Sequence, residues 1–219
     1  TVEAVIANKT DVVMTNVAGN PYAIGYISLG SLNDNVKAVK IDGVEASPEN
    51  INNGSYPVAR PFNIATKGAP SELAQDFIDY ILSAEGQAIV NESYIAADDA
   101  AAAFSGSMPS GKLVVAGSSS VSPVMEKLVE GYLQIISAAD IEIQTSDSSA
   151  GMTAAIDGTC DIGMASRALK DSELAELTPV VIAMDGIAVV VNNENPVENI
   201  ASDVVTSIFI GETTIWDVL

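Results

Sequence analysis

The feature that most constrains this chain is a unit of strand, serine-glycine turn and helix that occurs twice in succession between Lys112 and Asp157. Lys112 to Ala116 is an apolar strand and Gly117-Ser118-Ser119-Ser120-Val121-Ser122-Pro123 a turn. Val124 to Ile136 then places Met125, Leu128, Val129 and Leu133 on one helical face. Ile141 to Gln144 alternates as a second strand, Ser146 to Gly151 turns, and Met152 to Asp157 opens a second helix ahead of a strand at Asp161 to Ala165. Strands alternating with helices of this length predict an α/β architecture with mainly parallel sheets.

The flanking sequence continues the theme. Tyr22 to Ile27 reads as a strand after the turn signal Gly19-Asn20-Pro21, and Val36 to Ile41 as another. Ser71 to Val90 reads as one helix, with Ser71 at the N-cap and Leu73, Phe77, Tyr80 and Ile81 at spacings of three and four. Ala96 to Ser110 loses this periodicity and reads as a linker. Val180 to Ala183 and Ile187 to Val191 are strands, followed by a helix from about Ser202 to Phe209. Trp216, Tyr22 and Tyr26 read as core or hinge packing.

Composition narrows the function. Lys plus Arg total 9 against 29 Asp plus Glu, a formal net charge of -20, so a polyphosphate surface is repelled and nucleic acid is not an expected partner. A small anion must then be held by backbone N–H groups, hydroxyls, a helix N-terminus or a locally placed Arg. There is no histidine, which removes the commonest general base and metal ligand, and Cys160 stands alone. No enzyme, metal site or cofactor is expected. No apolar run reaches the roughly 20 residues a membrane span needs.

Two serine-rich turns, Gly117-Ser118-Ser119-Ser120 and Ser148-Ser149-Ala150-Gly151, occupy the same slot after a strand and before a helix. Either alone reads more readily as ordinary N-capping. Together, in consecutive units whose strand ends lie side by side, they describe an anion cradle, because ligands of open α/β sheets bind outside the carboxyl ends of the strands. Ser166-Arg167 follows the next strand, and the planar fork of Arg167 suits a tetrahedral oxyanion. Its alternative is a surface ion pair with Asp161 or Asp171. The candidate binding residues are therefore Ser118, Ser119, Ser120, Ser148, Ser149, Ser166 and Arg167. Cys160 reads as a packed thiol.

The run LVVAGSSSVSPVMEKLVEGY, then IEIQTSDSSAGMTAAIDGTCDIGMASRALKDSE and DGIAVVVN, closely resembles the N-terminal half of substrate-binding proteins of the phosphate-specific ABC transporter. GNPYAIGYISL, VARPFNIATKG and FIDYILSAEGQAIV resemble the C-terminal half of the same family. The order of the halves is reversed, as in a circular permutation or an excerpt across the junction of two tandem copies. The resemblance implies a type II periplasmic-binding fold, two α/β lobes joined by crossing strands, with inorganic phosphate held between them and passed to an ABC-transporter permease. It implies an extracellular location, at the bacterial cell surface or in the periplasm.

Under the resemblance, Ser119 and Ser120 match first-loop contacts, Ser148 the second-loop hydroxyl and Ser166 the contact after the third strand. Arg167 stands where family members carry an Asp that accepts the proton of hydrogen phosphate, which leaves Asp147 or Asp185 for that role. The family's Ser-Gly-Thr-Arg type loop has no counterpart. The expected lobes are a larger one from residues 36–95 and 111–184 and a smaller, incomplete one from 1–35 and 185–219, with 96–110 as linker. A second reading is a partial binding-protein module that acts by protein contact, with self-association through the incomplete lobe.

Overall fold

The computed structural model describes residues 5–216. In chain order the elements are α1 (Thr10–Ala18), β1 (Ile24–Ser28), β2 (Lys37–Ala38), β3 (Lys40–Ile41), α2 (Pro48–Asn52), β4 (Ala59–Thr66), α3 (Glu72–Ile81), α4 (Ala84–Val90) and β5 (Ile95–Ala96). They continue with β6 (Gly111–Ser118), α5 (Ser122–Ile135), β7 (Ala139–Ser146), α6 (Ser148–Asp157), β8 (Ile162–Ala165), α7 (Asp171–Leu174), β9 (Thr178–Val191), β10 (Asn199–Ile200) and α8 (Ser202–Phe209). The chain forms two compact units. One comprises residues 60–185, the other the residues up to 59 and from 186 onward.

The unit of residues 60–185 contains the repeated strand-turn-helix pattern. Strand β6 pairs in parallel with β7 on one side and with β8 on the other, and β8 pairs antiparallel with β4. Helices α3 and α5 cover this sheet through Phe77, Tyr80, Ile81, Met125, Leu128 and Tyr132, all buried. Helix α6 covers it through Met152 and Ala155. Its approach is backbone to backbone: a Cβ on Gly151 would lie 2.7 Å from the Ala116 carbonyl and 2.9 Å from that of Met164. Gly117 is the partner in this contact, with φ +135, and its missing side chain lets α6 lie directly on β6.

The other unit has a mostly aliphatic core of Val17, Ile27, Val36, Val39, Ile41, Ala188 to Val191 and Ile200. β1 and β2 pair antiparallel with the second half of β9, while β3 pairs in parallel with β10. Helix α1 sits on β1 at Gly25, where a Cβ would meet the side chains of Val13 and Val17 at 2.8 and 3.0 Å. Tyr56 is buried and donates to the Ile187 carbonyl at 2.8 Å. That burial pushes its phenol up to about 12.

Several expectations change. Mainly parallel sheets describe only β7-β6-β8 and β3-β10; β1, β2 and β5 all join β9 antiparallel. Hydrophobic periodicity carries no strand direction, and short strands that lack a crossover helix return antiparallel. Residues 36–59, expected in the larger lobe, belong to the other unit, because β2 and β3 find their partners in β9 and β10. The expected helix 71–90 is two helices. The Ser83 hydroxyl donates to the Tyr80 carbonyl and accepts from Gly86 N at 3.2 Å, ending one helix and capping the next. The two strands expected between Val180 and Val191 are the single strand β9.

Residues 97–110 carry no helix or strand, yet they are not a free linker. Phe104 packs edge-on against Tyr80 with centroids 5.3 Å apart, and its N–H donates to Glu85 at 2.7 Å. Ser107 N donates to the buried Asp76 at 2.6 Å. The stretch is part of the 60–185 unit.

Candidate functional site: a serine rim

All seven residues singled out from the sequence lie at one rim of the 60–185 unit, at the carboxyl ends of β6 and β8 and the N-terminal ends of α5 and α6. The two serine turns are tied together through the sheet. Ser118 is in register with Ser146, and Ser119 N donates to the Ser146 carbonyl at 3.0 Å. Two residues further on, Ser148 opens α6. Its hydroxyl accepts from Ser166 N at 3.1 Å and lies 3.4 Å from the Ser166 hydroxyl. Ser119, Ser120 and Ser148 are half-buried, Ser118 and Ser166 are buried, and Ser149 is exposed.

The local reasons differ between the turns. At the first, Ser118 closes the strand, its hydroxyl accepts from Ser120 N at 3.3 Å, and its carbonyl accepts from Val121 N at 3.0 Å and from the Ser122 hydroxyl. Helix α5 starts there with no side-chain cap of its own and with Pro123 in its first turn. At the second turn the helix end is already occupied. Asp147 caps α6, its carboxylate accepting from Ser149 N at 2.8 Å and Ala150 N at 2.9 Å. The expected cradle of backbone donors at Ser149 and Ala150 is thus filled by an aspartate, since a carboxylate is favoured at a positive helix end. What this turn presents is hydroxyls.

Arg167 sits at the rim, but its partner is neither Asp161 nor Asp171. Its two terminal nitrogens each donate to one oxygen of Glu173 at 2.8 Å. Glu173 is nearly buried, reaches back from α7, and also accepts from Lys170 N at 2.8 Å. Its bond to Arg167, chiefly, holds the Glu173 carboxyl below its ordinary value, and the same bond raises the guanidinium. Asp161 instead accepts from Val114 N at 2.7 Å.

Sequence reasoning missed Glu173 because six residues of separation across a turn and a one-turn helix carry no periodic signal. It missed Asn63 likewise: from β4, it donates to the Arg167 carbonyl at 2.9 Å and pins the third loop.

The two carboxylates considered as acceptors for a protonated anion have other partners. Asp147 caps α6 at the rim, and Asp185 is fully buried beside Arg60 at 3.1 Å. Cys160 is a buried thiol, pushed up to about 11 by desolvation and by Asp161. Tyr22 and Tyr26, expected in packing, are 78% and 52% exposed. With Trp216, whose indole donates to the Tyr22 carbonyl at 3.0 Å, they line a groove of about 930 Å³ in the other unit. Among the described residues there is no cluster of three or more metal-ligating side chains, and no helix is long and apolar enough to cross a membrane.

A two-unit α/β protein with hydroxyl-bearing loops at the carboxyl ends of parallel strands is the architecture of a solute-binding protein, and the chain belongs to the PBP superfamily. The model described as PBP superfamily domain matches residues 1–85 and 102–218. Among curated relatives, the phosphate-binding protein PstS 2 of Streptococcus agalactiae is 52% identical over 215 residues, 97% of this chain and 73% of that protein. A solved phosphate-binding protein of a phosphate ABC transporter from Streptococcus pneumoniae is 47% identical with a TM-score of 0.76. The match covers 98% of this chain and 84% of the solved one. The phosphate-binding protein PstS of Bacillus subtilis is 33% identical over only 100 residues, 44% of this chain and 33% of its own length.

Proposed function

We propose that this chain binds inorganic phosphate, without transforming it, for uptake by an ABC transporter, and that it works outside the cell membrane where it presents the ion to a permease. The observation that carries this reading is the meeting of Ser118 to Ser120 with Ser148, Ser149 and Ser166 at one sheet rim, in a chain similar over nearly its whole length to phosphate-binding proteins. Hydroxyls and backbone donors suit an anion bound by a protein of net charge -20, because they bring no surrounding positive field that other anions would share.

The order of the two halves is read as one shared with the streptococcal relatives. The S. agalactiae protein matches 97% of this chain and the B. subtilis protein only 44%, which is what results when the first has the same order and the second the opposite one. The site needs no catalytic base or metal for this task.

Calorimetric titration with phosphate, sulfate and molybdate tests the reading. Phosphate is expected to bind with Kd below about 1 mM, or beyond about 4 kcal/mol. Ser119→Ala and Ser148→Ala should each weaken it by about 1.5 to 3 kcal/mol, tenfold or more, since each removes a hydrogen bond to a charged ligand. No binding of any oxyanion would end the proposal. The groove beside Tyr22 and Tyr26 favours a second reading, self-association. Light scattering that shows a stable dimer in place of phosphate binding would select it.

A further inference from the structure

We propose that Arg167 is a positioning residue of the serine rim rather than a contact to the anion, and that it acts through Glu173 and Ser149; this rests on the reading that the rim binds phosphate. A guanidinium has five N–H donors. Arg167 directs all four terminal ones into the protein. Two go to the oxygens of Glu173 at 2.8 Å, one to the Ala168 carbonyl at 3.0 Å, and one to the Ser149 hydroxyl at 3.3 Å. Only the Nε–H remains. The planar fork that would grip a tetrahedral oxyanion therefore faces a carboxylate, and the positive charge is matched by Glu173, whose side chain is 9% exposed.

The same contacts link the two loops whose hydroxyls define the rim. Glu173 fixes the guanidinium, and the guanidinium holds Ser149 at the head of α6, next to Ser148. Asn63 fixes the Arg167 carbonyl from β4, so the segment carrying Ser166 is held from a second side. The result is the Ser148 to Ser166 contact, with the Ser166 N–H on the Ser148 hydroxyl at 3.1 Å. A Lys in place of Arg167 keeps the charge but gathers its three donors on a single nitrogen, which cannot span Glu173, Ser149 and Ala168 together.

The test is phosphate titration of the wild type, Arg167→Lys, Glu173→Gln and the double variant at two salt concentrations, with circular dichroism to confirm folding. A positioning role predicts that each single substitution weakens phosphate tenfold or more, that the double variant is no weaker than the worse single one, and that the salt dependence is unchanged. Direct contact with the anion predicts a different pattern: Arg167→Lys would weaken phosphate while Glu173→Gln, which frees the guanidinium, would bind as tightly as the wild type or more tightly, and that result overturns the proposal.

The wild type supplies a check that needs no variant. The guanidinium Nη–H resonances of Arg167 should hold their positions when phosphate is added, and a large shift in them would refute the assignment. Failure of the wild type to bind phosphate would overturn the phosphate reading and this inference with it. Binding that survives both substitutions would overturn the inference alone.

Discussion

The two compact units bury their side chains in different ways. In the 60–185 unit ring packs on ring: Phe77 meets Tyr132 with centroids 5.1 Å apart, Tyr80 meets Tyr132 at 5.4 Å, and Phe104 closes over both. The other unit relies on valine and isoleucine, and it leaves Ile6, Tyr22 and Ile210 at 89%, 78% and 64% exposure around its groove. The serine rim belongs to the first unit. Under the proposed reading, the hydroxyls that hold the ion are carried by strands and helices whose own positions are set by dense packing. Among the described residues the groove is lined largely by apolar side chains, Val5, Ile6, Val13, Tyr26, Phe209 and Ile210 among them.

The largest effect expected from this contrast is in the aromatic core. Phe77→Ala should destabilise the protein by about 3 to 5 kcal/mol, because a fully buried ring leaves a cavity among neighbours that cannot collapse onto it. Chemical denaturation measures this, and a loss under about 1 kcal/mol would mean that the ring cluster is not rigid.

Gly151→Ala is expected to follow, at about 1 to 3 kcal/mol, with a loss of phosphate binding larger than its loss of stability. The added carbon would press on the Ala116 and Met164 carbonyls, backbone atoms that cannot swing aside, and would lift Ser148 away from Ser166. Unchanged binding would separate the rim from the packing beneath it. Ile210→Ser should have the smallest effect, within about 0.5 kcal/mol, while reducing the fluorescence of an apolar dye added to the protein. A loss above about 1 kcal/mol would show that the groove is covered in solution.

Much of this was legible in advance where residue type and spacing agree. Alternating Ile141 to Gln144 became the heart of β7, and the apolar stripe of Met125, Leu128 and Val129 became the buried face of α5. Ser71 caps α3 through a bond from Ala74 N at 3.2 Å, as its place before Leu73 suggested. The placement of the candidate serines between strand ends and helix starts was legible as well.

What failed was anything set by contacts distant in sequence. The break at Ser83 was hidden because its apolar residues keep helical spacing across it. The pairing of Val36 to Ile41 with β9 and β10 crosses some 150 residues, so neither its direction nor its unit could be read locally. Arg167 was read from its identity, which offers a fork to any oxyanion. Its use was decided by Glu173, brought back by a short helix that no pattern announced.

The order of strands and helices, the sites of the serine turns and the acidity that demands neutral donors follow from the amino-acid sequence alone, because each is a matter of local conformation or of counting charge. Which loops meet, which helix end is already filled by Asp147 and which carboxylate holds Arg167 were settled only by tertiary packing. Those outcomes depend on distances between groups far apart in the chain, and the chain encodes such distances through the whole core at once.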